Sequence, residues 1–401
     1  MKTKINLFVY GIVLVIGLSG FALWQRARTE TSMYITSVSA PDGTAEGKMT
    51  VHYRLDSDAS DFTIIVLPDT QYYSQLYPEI YAAQTKWIVD NKDDLNIVFV
   101  SHLGDLVQNN DLYEKEWQVA DAAMSMLDGV VPYGVLPGNH DMQVGGAADF
   151  YEQYFPASRF EHQSWWGGSF DKNRYNYQLF SAGGDEYVIL HLQYCPTGEA
   201  IKWANDVLAE WSARKAIVST HGYLNFDGLH LMNCQDKTDG DVNGAQMWNR
   251  LVKRNPNVFM VLAGHIPGIA RRDDFEGRTV YQLLSDYQNF PMGGSGYLRI
   301  MTFEPRNDRI RVTSFSPYLD KYLIDSNNQF DLPFDMTGDT PPEGNVLVYS
   351  GFNYCIGTIE AKSCELNAVD KNLLRAVYLG DIGHKGSLSP AMSFSSLRRS
   401  D

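Results

Sequence analysis

From Phe62 onward, short apolar runs alternate with longer stretches whose apolar residues recur every three or four positions. Phe62–Pro68, rich in Ile and Val, predicts a strand buried on both faces, and Glu79–Asn91 has the period of a helix. Asn96–His102 predicts a second buried strand, Glu114–Leu127 a second helix and Pro132–Leu136 a third strand. Strands alternating with helices indicate βαβ units and a mostly parallel sheet. Further strands are expected at Tyr175–Phe180, Tyr187–Gln193, Ala216–Thr220, Val258–Ala263, Val280–Leu284, Leu298–Phe303 and Ile310–Phe315, with helices at Glu199–Trp211 and Ala245–Lys253. The last strands follow one another without helices, so that portion is expected to be antiparallel. Ahead of this region, Met33–Leu55 holds two short strands, around Tyr34–Val38 and Met49–Tyr53, with a Pro-Asp-Gly turn between them and polar residues Asp56–Asp61 after them.

The N-terminus follows a different pattern. Lys2 and Lys4 precede an apolar run from Ile5 to Trp24, and Arg26 and Arg28 follow it. A helix of about 20 apolar residues spans a bilayer; Gly20 and Ala22 also offer a weak signal-peptidase site. Residues 1–28 therefore read as a membrane anchor or a signal peptide, and either one places the remainder outside the cytoplasm, in a periplasm or at a cell surface, membrane-anchored or secreted. Four cysteines suit such a compartment and permit two disulfides without fixing the pairing; Cys195 and Cys234 could equally be buried thiols. Across 401 residues, 44% hydrophobic and 20% charged, there is ample material for a core. The net charge of −15 and the lack of any basic block argue against a broad nucleic-acid surface.

The chemistry is placed by the strands. Asp69 follows the first, Gly104-Asp105 the second, Gly138-Asn139-His140-Asp141 the third, His221 the strand ending at Thr220, and Gly264-His265 the strand Val258–Ala263. In open α/β sheets the C-terminal strand ends open onto the ligand crevice. Carboxylates, an amide and imidazoles thus converge on one edge without thiolates, a donor mixture that favours Mn, Fe or Zn. Two such ions would clamp a phosphoryl group. Any one piece alone is ordinary; a lone Gly-Asp is usually a turn. All five in this order are hard to explain as turns.

These segments resemble the calcineurin-like metallophosphoesterase superfamily over roughly Phe62 to Pro317. Its pattern is D-x-H, G-D, G-N-H-D/E, a strand-end H and G-H-x-H; here stand Asp69-Thr70-Gln71, Gly104-Asp105, Gly138-Asn139-His140-Asp141, Thr220-His221 and Gly264-His265-Ile266-Pro267. The resemblance implies an α/β fold built as a β-sandwich flanked by helices, and two divalent metal ions. Asp105 would bridge them, Asn139, His221 and His265 would complete one site, and Asp69 with Gln71 would belong to the other. His140 would act on the substrate as the catalytic group, protonating the leaving oxygen, with Asp141 or Gln108 to orient it. Two departures fall on one metal: Gln71 stands where the pattern has His, and Pro267 where it has the last His. The Asp69 site is therefore expected to be the weak one. The run Asp69–Ser74 is similar to a subgroup that begins D-T-Q-Y-Y-S.

Other residues have less specific readings. His102 could support the site from behind, and His191 reads as core. Trp165, Trp166 and Phe170 either wall the cleft or pack a loop; Arg271 and Arg272 either reach phosphate oxygens or form a solvated pair. The tail, Gly344–Ser395, resembles the C-terminal part of bacterial immunoglobulin-like repeats, carried by Cys355-Ile-Gly-Thr358, Ser363-Cys364 and Ala376–Asp381. Its first strands are not evident, so the module is partial or completed by other segments, and a Cys355–Cys364 disulfide is expected in it. The resulting division is 1–28 anchor or signal, 29–61 linker and short strands, 62–330 metallophosphoesterase domain and 341–397 a small all-β module. The expected function is hydrolysis of phosphate esters on a small molecule or polymer. The rival is a surface binding or adhesion protein that keeps the fold with little catalysis; Pro267 and the tail favour it.

Overall fold

The computed structural model describes residues 60–110, 113–234 and 238–336, together with the backbone of strands nearer the two ends. Strands are numbered along the chain. β1 (Ser32–Ser39) and β2 (Lys48–Asp56) come first. The central region holds β3 (Phe62–Leu67), β4 (Ile97–His102), β5 (Tyr133–Gly134), β6 (Trp166–Phe170), β7 (Tyr175–Ala182), β8 (Asp185–Leu192), β9 (Lys215–Thr220), β10 (Val258–Ala263), β11 (Gly268–Phe275), β12 (Thr279–Asp286), β13 (Leu298–Glu304), β14 (Arg309–Ser316), β15 (Lys321–Leu323) and β16 (Gln329–Pro333). β17 (Asn345–Ser350), β18 (Asn353–Thr358), β19 (Ser363–Asn367) and β20 (Arg375–Gly380) close the series.

The chain divides into two compact units, 60–336 and the two flanking segments together. The central unit is a sandwich of two seven-stranded sheets. One has the order β15-β14-β13-β3-β4-β5, with β16 also on β14; the other runs β11-β12-β10-β9-β8-β7-β6. Each has a parallel heart, β3–β4–β5 in the first and β8–β9–β10–β12 in the second. The expected antiparallel portion is β13 to β16.

Three apolar layers account for the unbroken Ile and Val runs. Phe62, Ile64 and Val66 of β3 point between the sheets, against Phe99, Ile189, Ile217, Leu262 and Leu283. Ile65 and Leu67 of the same strand point the other way, toward Ile80, Ile88 and Trp117 of the helices Pro78–Asp90 and Glu114–Met124. The second sheet is covered in the same manner by helix Gly198–Glu210. A strand covered on both faces has no polar side, which is why period-2 alternation is absent from its sequence. Across the interface Phe99 stacks on Phe180 at 5.3 Å and Phe62 meets Tyr187 edge-on at 5.6 Å, tying the sheets together.

The aromatic cluster packs a loop and does not wall a cleft: Trp166 stacks on Phe160 at 5.4 Å, Trp165 leans on Tyr133, and Phe170 stacks on Trp203 at 5.9 Å. Cys195 and Cys234 form a disulfide that closes 39 residues of chain. Replacing both by serine is expected to cost about 4 kcal/mol on loop-entropy grounds. Thermal melting of the double variant beside the parent checks this; a melting temperature lowered by less than 2 °C would remove the bond from the stabilising contacts.

In the flanking unit β1 pairs antiparallel with β2, and β2 pairs with β19 of the tail; β18, β17 and β20 form a separate three-stranded sheet. Strands of the 29–61 segment and of the tail therefore share a sheet. Residues 1–28 and the side chains of Cys355 and Cys364 lie outside the described residues. Among those described, no helix is long and apolar enough to cross a membrane.

Candidate metal centre

The parallel strands of both sheets deliver polar side chains to one edge. From the first sheet come Asp69 after β3, Asp105 after β4, and Asn139 with His140 after β5; from the second come His221 after β9 and His265 after β10. Asp69, Asp105 and His221 are buried, and one ligand atom from each lies within 4.8 Å of the others. His221 Nδ1 donates to the Leu103 carbonyl at 2.8 Å, which turns Nε2 toward Asn139 Oδ1 at 3.0 Å and Asp105 Oδ2 at 3.2 Å. The His265 ring lies 4.9 Å from that of His221, centroid to centroid, so both imidazoles stand on one face of the centre. The His265 backbone N–H donates to Asp69 Oδ2, and the His140 backbone N–H to Asp105 Oδ1.

The backbone is held out of its ordinary regions here. Asp105 has φ 51° and His265 φ 73°, both left-handed although neither is glycine. Strain of this kind costs roughly 1–3 kcal/mol per residue and persists where the surroundings over-determine it. Two glycines make room for the carboxylates. A Cβ on Gly138 would collide with Asp105 Oδ1, and one on Gly264 with Asp69 Oδ1.

Electrostatically the site is short of positive charge. Burial, then Asp286, pushes Asp69 well above the usual carboxylate range, while His221 pulls against them. Burial also pushes Asp286 up to about 7. For His221 burial works downward, yet Asp105 and Asp69 hold it up at about 10; its charge in turn keeps Asp105 below the usual range against burial. Three oxygens here are buried with no hydrogen-bond partner: Asp69 Oδ1, Gln71 Oε1 and Asp286 Oδ2. A buried acceptor without a partner costs roughly 1–3 kcal/mol, and native interiors rarely tolerate one unless an ion or water satisfies it. Divalent cations fit this donor set.

Several expectations change. Asp141 does not orient His140: its oxygens accept the backbone N–H groups of Leu106, Val107 and Gly138, which clamps two ligand loops together. The backbone carbonyl of Gln108 takes His140 Nδ1–H, at 3.0 Å. His102 does support the site from behind, as one reading had it: Nδ1 accepts from Gly104 N–H beside Asp105, and Nε2 is engaged by the Thr70 and Tyr81 hydroxyls. His191 is core, with its Nε2 on Ser101. Arg271 and Arg272 lie on β11 and pair with Asp273 and Asp274, so neither is free for phosphate. Two residues at the centre went unread in the sequence, Asp286 and Gln288. Asp286 ends a strand, as every other ligand candidate follows one, and that rule would have found it.

A family model described as calcineurin-like phosphoesterase matches residues 62–290. The chain belongs to this family. It is 39% identical over 319 residues to the uncharacterized protein YvnB of Bacillus subtilis, covering 75% of this chain but 24% of that one. Among solved structures, a dimetal phosphatase from Danio rerio is similar with 12% identity and a TM-score of 0.45, covering 68% of this chain and 99% of the other. A 5'-nucleotidase from Staphylococcus aureus, itself assigned provisionally, is similar with 13% identity and a TM-score of 0.38, covering 70% and 56%.

Proposed function

We propose that the protein hydrolyses phosphate esters at this centre, using two divalent cations, outside the cytoplasm. The observation that carries the reading is the convergence of Asp69, Asp105, Asn139 and His221 from two different sheets, with buried oxygens left unpartnered among them. Bound there, the ions would polarise phosphoryl oxygens and make water acidic enough to serve as nucleophile near neutral pH. Asp105 would lie between them, Asn139, His221 and His265 around one, and Asp69 and Gln71 beside the other.

The protein's own groups position and move protons. His140 is half-buried, and the Gln108 carbonyl holds its proton on Nδ1. Nε2 is then the atom that gives or takes a proton, as protonation of a leaving alkoxide requires. The backbone N–H of His140 on Asp105 ties that ring to the carboxylate that would serve both ions. His140→Ala is expected to lower kcat by roughly 10²–10⁴-fold while bound metal is unchanged. Steady-state kinetics beside metal analysis checks it; equal loss of metal would make His140 a structural residue.

The extracytoplasmic location is supported by the Cys195–Cys234 disulfide, a bond that forms and persists mainly in oxidising compartments, and by the apolar run Ile5–Trp24 behind two lysines. The substrate would be a phosphorylated small molecule or polymer. The test is a screen of the purified chain against phosphate monoesters and diesters, with and without added Mn, Fe or Zn. Metal-dependent turnover of either class is the expected result. No turnover of any ester under any metal would leave a binding protein on a phosphoesterase scaffold.

A further inference from the structure

We propose that Asp286 supplies the donor that Pro267 withholds, so that the second ion is held by Asp69, Gln71 and Asp286, with Asp105 shared between the two ions. The inference rests on the site being a two-metal centre, and it identifies a ligand position that the family pattern places elsewhere in the chain.

Register puts Asp286 at the site. β10 and β12 run parallel with Ala263 beside Leu284. His265 lies two residues beyond Ala263, and Asp286 two beyond Leu284, so they stand side by side at the same edge. On the other flank β11 is antiparallel to β12, and Gly268 is the strand partner of Asp286. Asp286 therefore borders the backbone just after Pro267, the position where the pattern has its last histidine. A carboxylate on the neighbouring strand can reach what a side chain at 267 would have reached.

The side chain has the character of a ligand. Asp286 is 1% exposed, accepts Gln288 N–H on Oδ1 at 2.9 Å, and has no partner on Oδ2. Among the described residues no lysine or arginine pairs with it. Gln71 at 3% and Asp69 at 2% exposure likewise keep Gln71 Oε1 and Asp69 Oδ1 without partners. Buried oxygens on three separate elements are thus left without partners. The 286–288 turn is also bound to Asp69, since Gln288 Nε2 donates to Asp69 Oδ2 at 3.3 Å. An all-oxygen set is hard in character and favours Mn over Zn, whereas the site with His221 and His265 suits Zn or Fe.

The experiment is Mn titration calorimetry, with metal counting after equilibrium dialysis, on the parent chain and three variants. The parent is expected to bind two ions. Asp286→Asn keeps the shape of the side chain and should retain the first ion while weakening the second at least tenfold. Pro267→His alone should change second-ion affinity less than threefold, because the site is already complete; in the Asp286→Asn background it should restore binding. The Pro267→His result stands even if Asp286→Asn does not fold. Two ions held with parental affinity by Asp286→Asn, a large tightening by Pro267→His alone, or a parent that takes only one ion at millimolar Mn would each overturn the inference. A parent that binds no divalent ion would instead overturn the two-metal reading beneath it.

Discussion

Asp105→Asn is expected to lower phosphoesterase activity by about 10³-fold or more, the equivalent of several kcal/mol of charge stabilisation, and to lower the affinity for both ions. No other side chain at the centre has the same set of connections. One oxygen lies 3.2 Å from His221 Nε2, and the other accepts the His140 backbone N–H at 2.8 Å. Removing one negative charge from a fully buried site weakens its attraction for any cation, and the amide nitrogen of asparagine cannot accept. The substitution keeps size and shape, so the fold should survive. Metal analysis, kinetics and a melting curve on one preparation check it. Parental metal content with lost activity would move Asp105 from ion binding to substrate contact; full activity would remove it from the centre.

Gly138→Ala is expected to do comparable damage without replacing any ligand. Its new methyl would occupy the space of Asp105 Oδ1 and press on the Asp105 backbone nitrogen. Asp105 cannot retreat easily, because its φ of 51° follows Gly104 at φ 92° and both are fixed by the loop. Overpacking of this kind costs roughly 1–3 kcal/mol, and here it displaces the shared carboxylate, so metal affinity should fall at least tenfold. Gly129→Ala is the control: Gly129 also has positive φ, at 70°, but a Cβ there meets nothing within 4 Å. It should lose some stability from backbone strain and keep its metal. If both alanine variants bound metal like the parent, close approach of the backbone to Asp105 would not be what the glycine provides.

Much of this protein is legible one strand at a time. A run such as Ile64–Leu67, apolar at every position and rich in β-branched residues, reads as a strand covered on both faces, and the helices between such runs make the sheet parallel. Parallel strands all end on the same edge, so a polar residue just past an apolar run is already placed. That rule brought Asp69, Asp105, Asn139, His221 and His265 to one edge, and it requires no knowledge of how the sheets pack.

What the chain could not show is which backbone groups a side chain meets there. Asp141 and His140 are adjacent in sequence, yet the Asp141 carboxylate is taken up by Leu106, Val107 and Gly138, and His140 is held by a carbonyl from the Gln108 loop. His102 could only be suspected of backing the site until its nitrogens are found bonded to Gly104, Thr70 and Tyr81. Cys195 and Cys234 are 39 residues apart, and only folding brings their Cα atoms to 6.0 Å. Pro267 is a missing ligand when the chain is read in line, and only the β11–β12 register sets the buried Asp286 beside it. By itself the sequence determined which residues reach the edge, because strand direction follows from local pattern; tertiary structure decided which of them lie next to one another there, because that depends on register between strands far apart in the chain and on which lone pairs burial leaves unmatched.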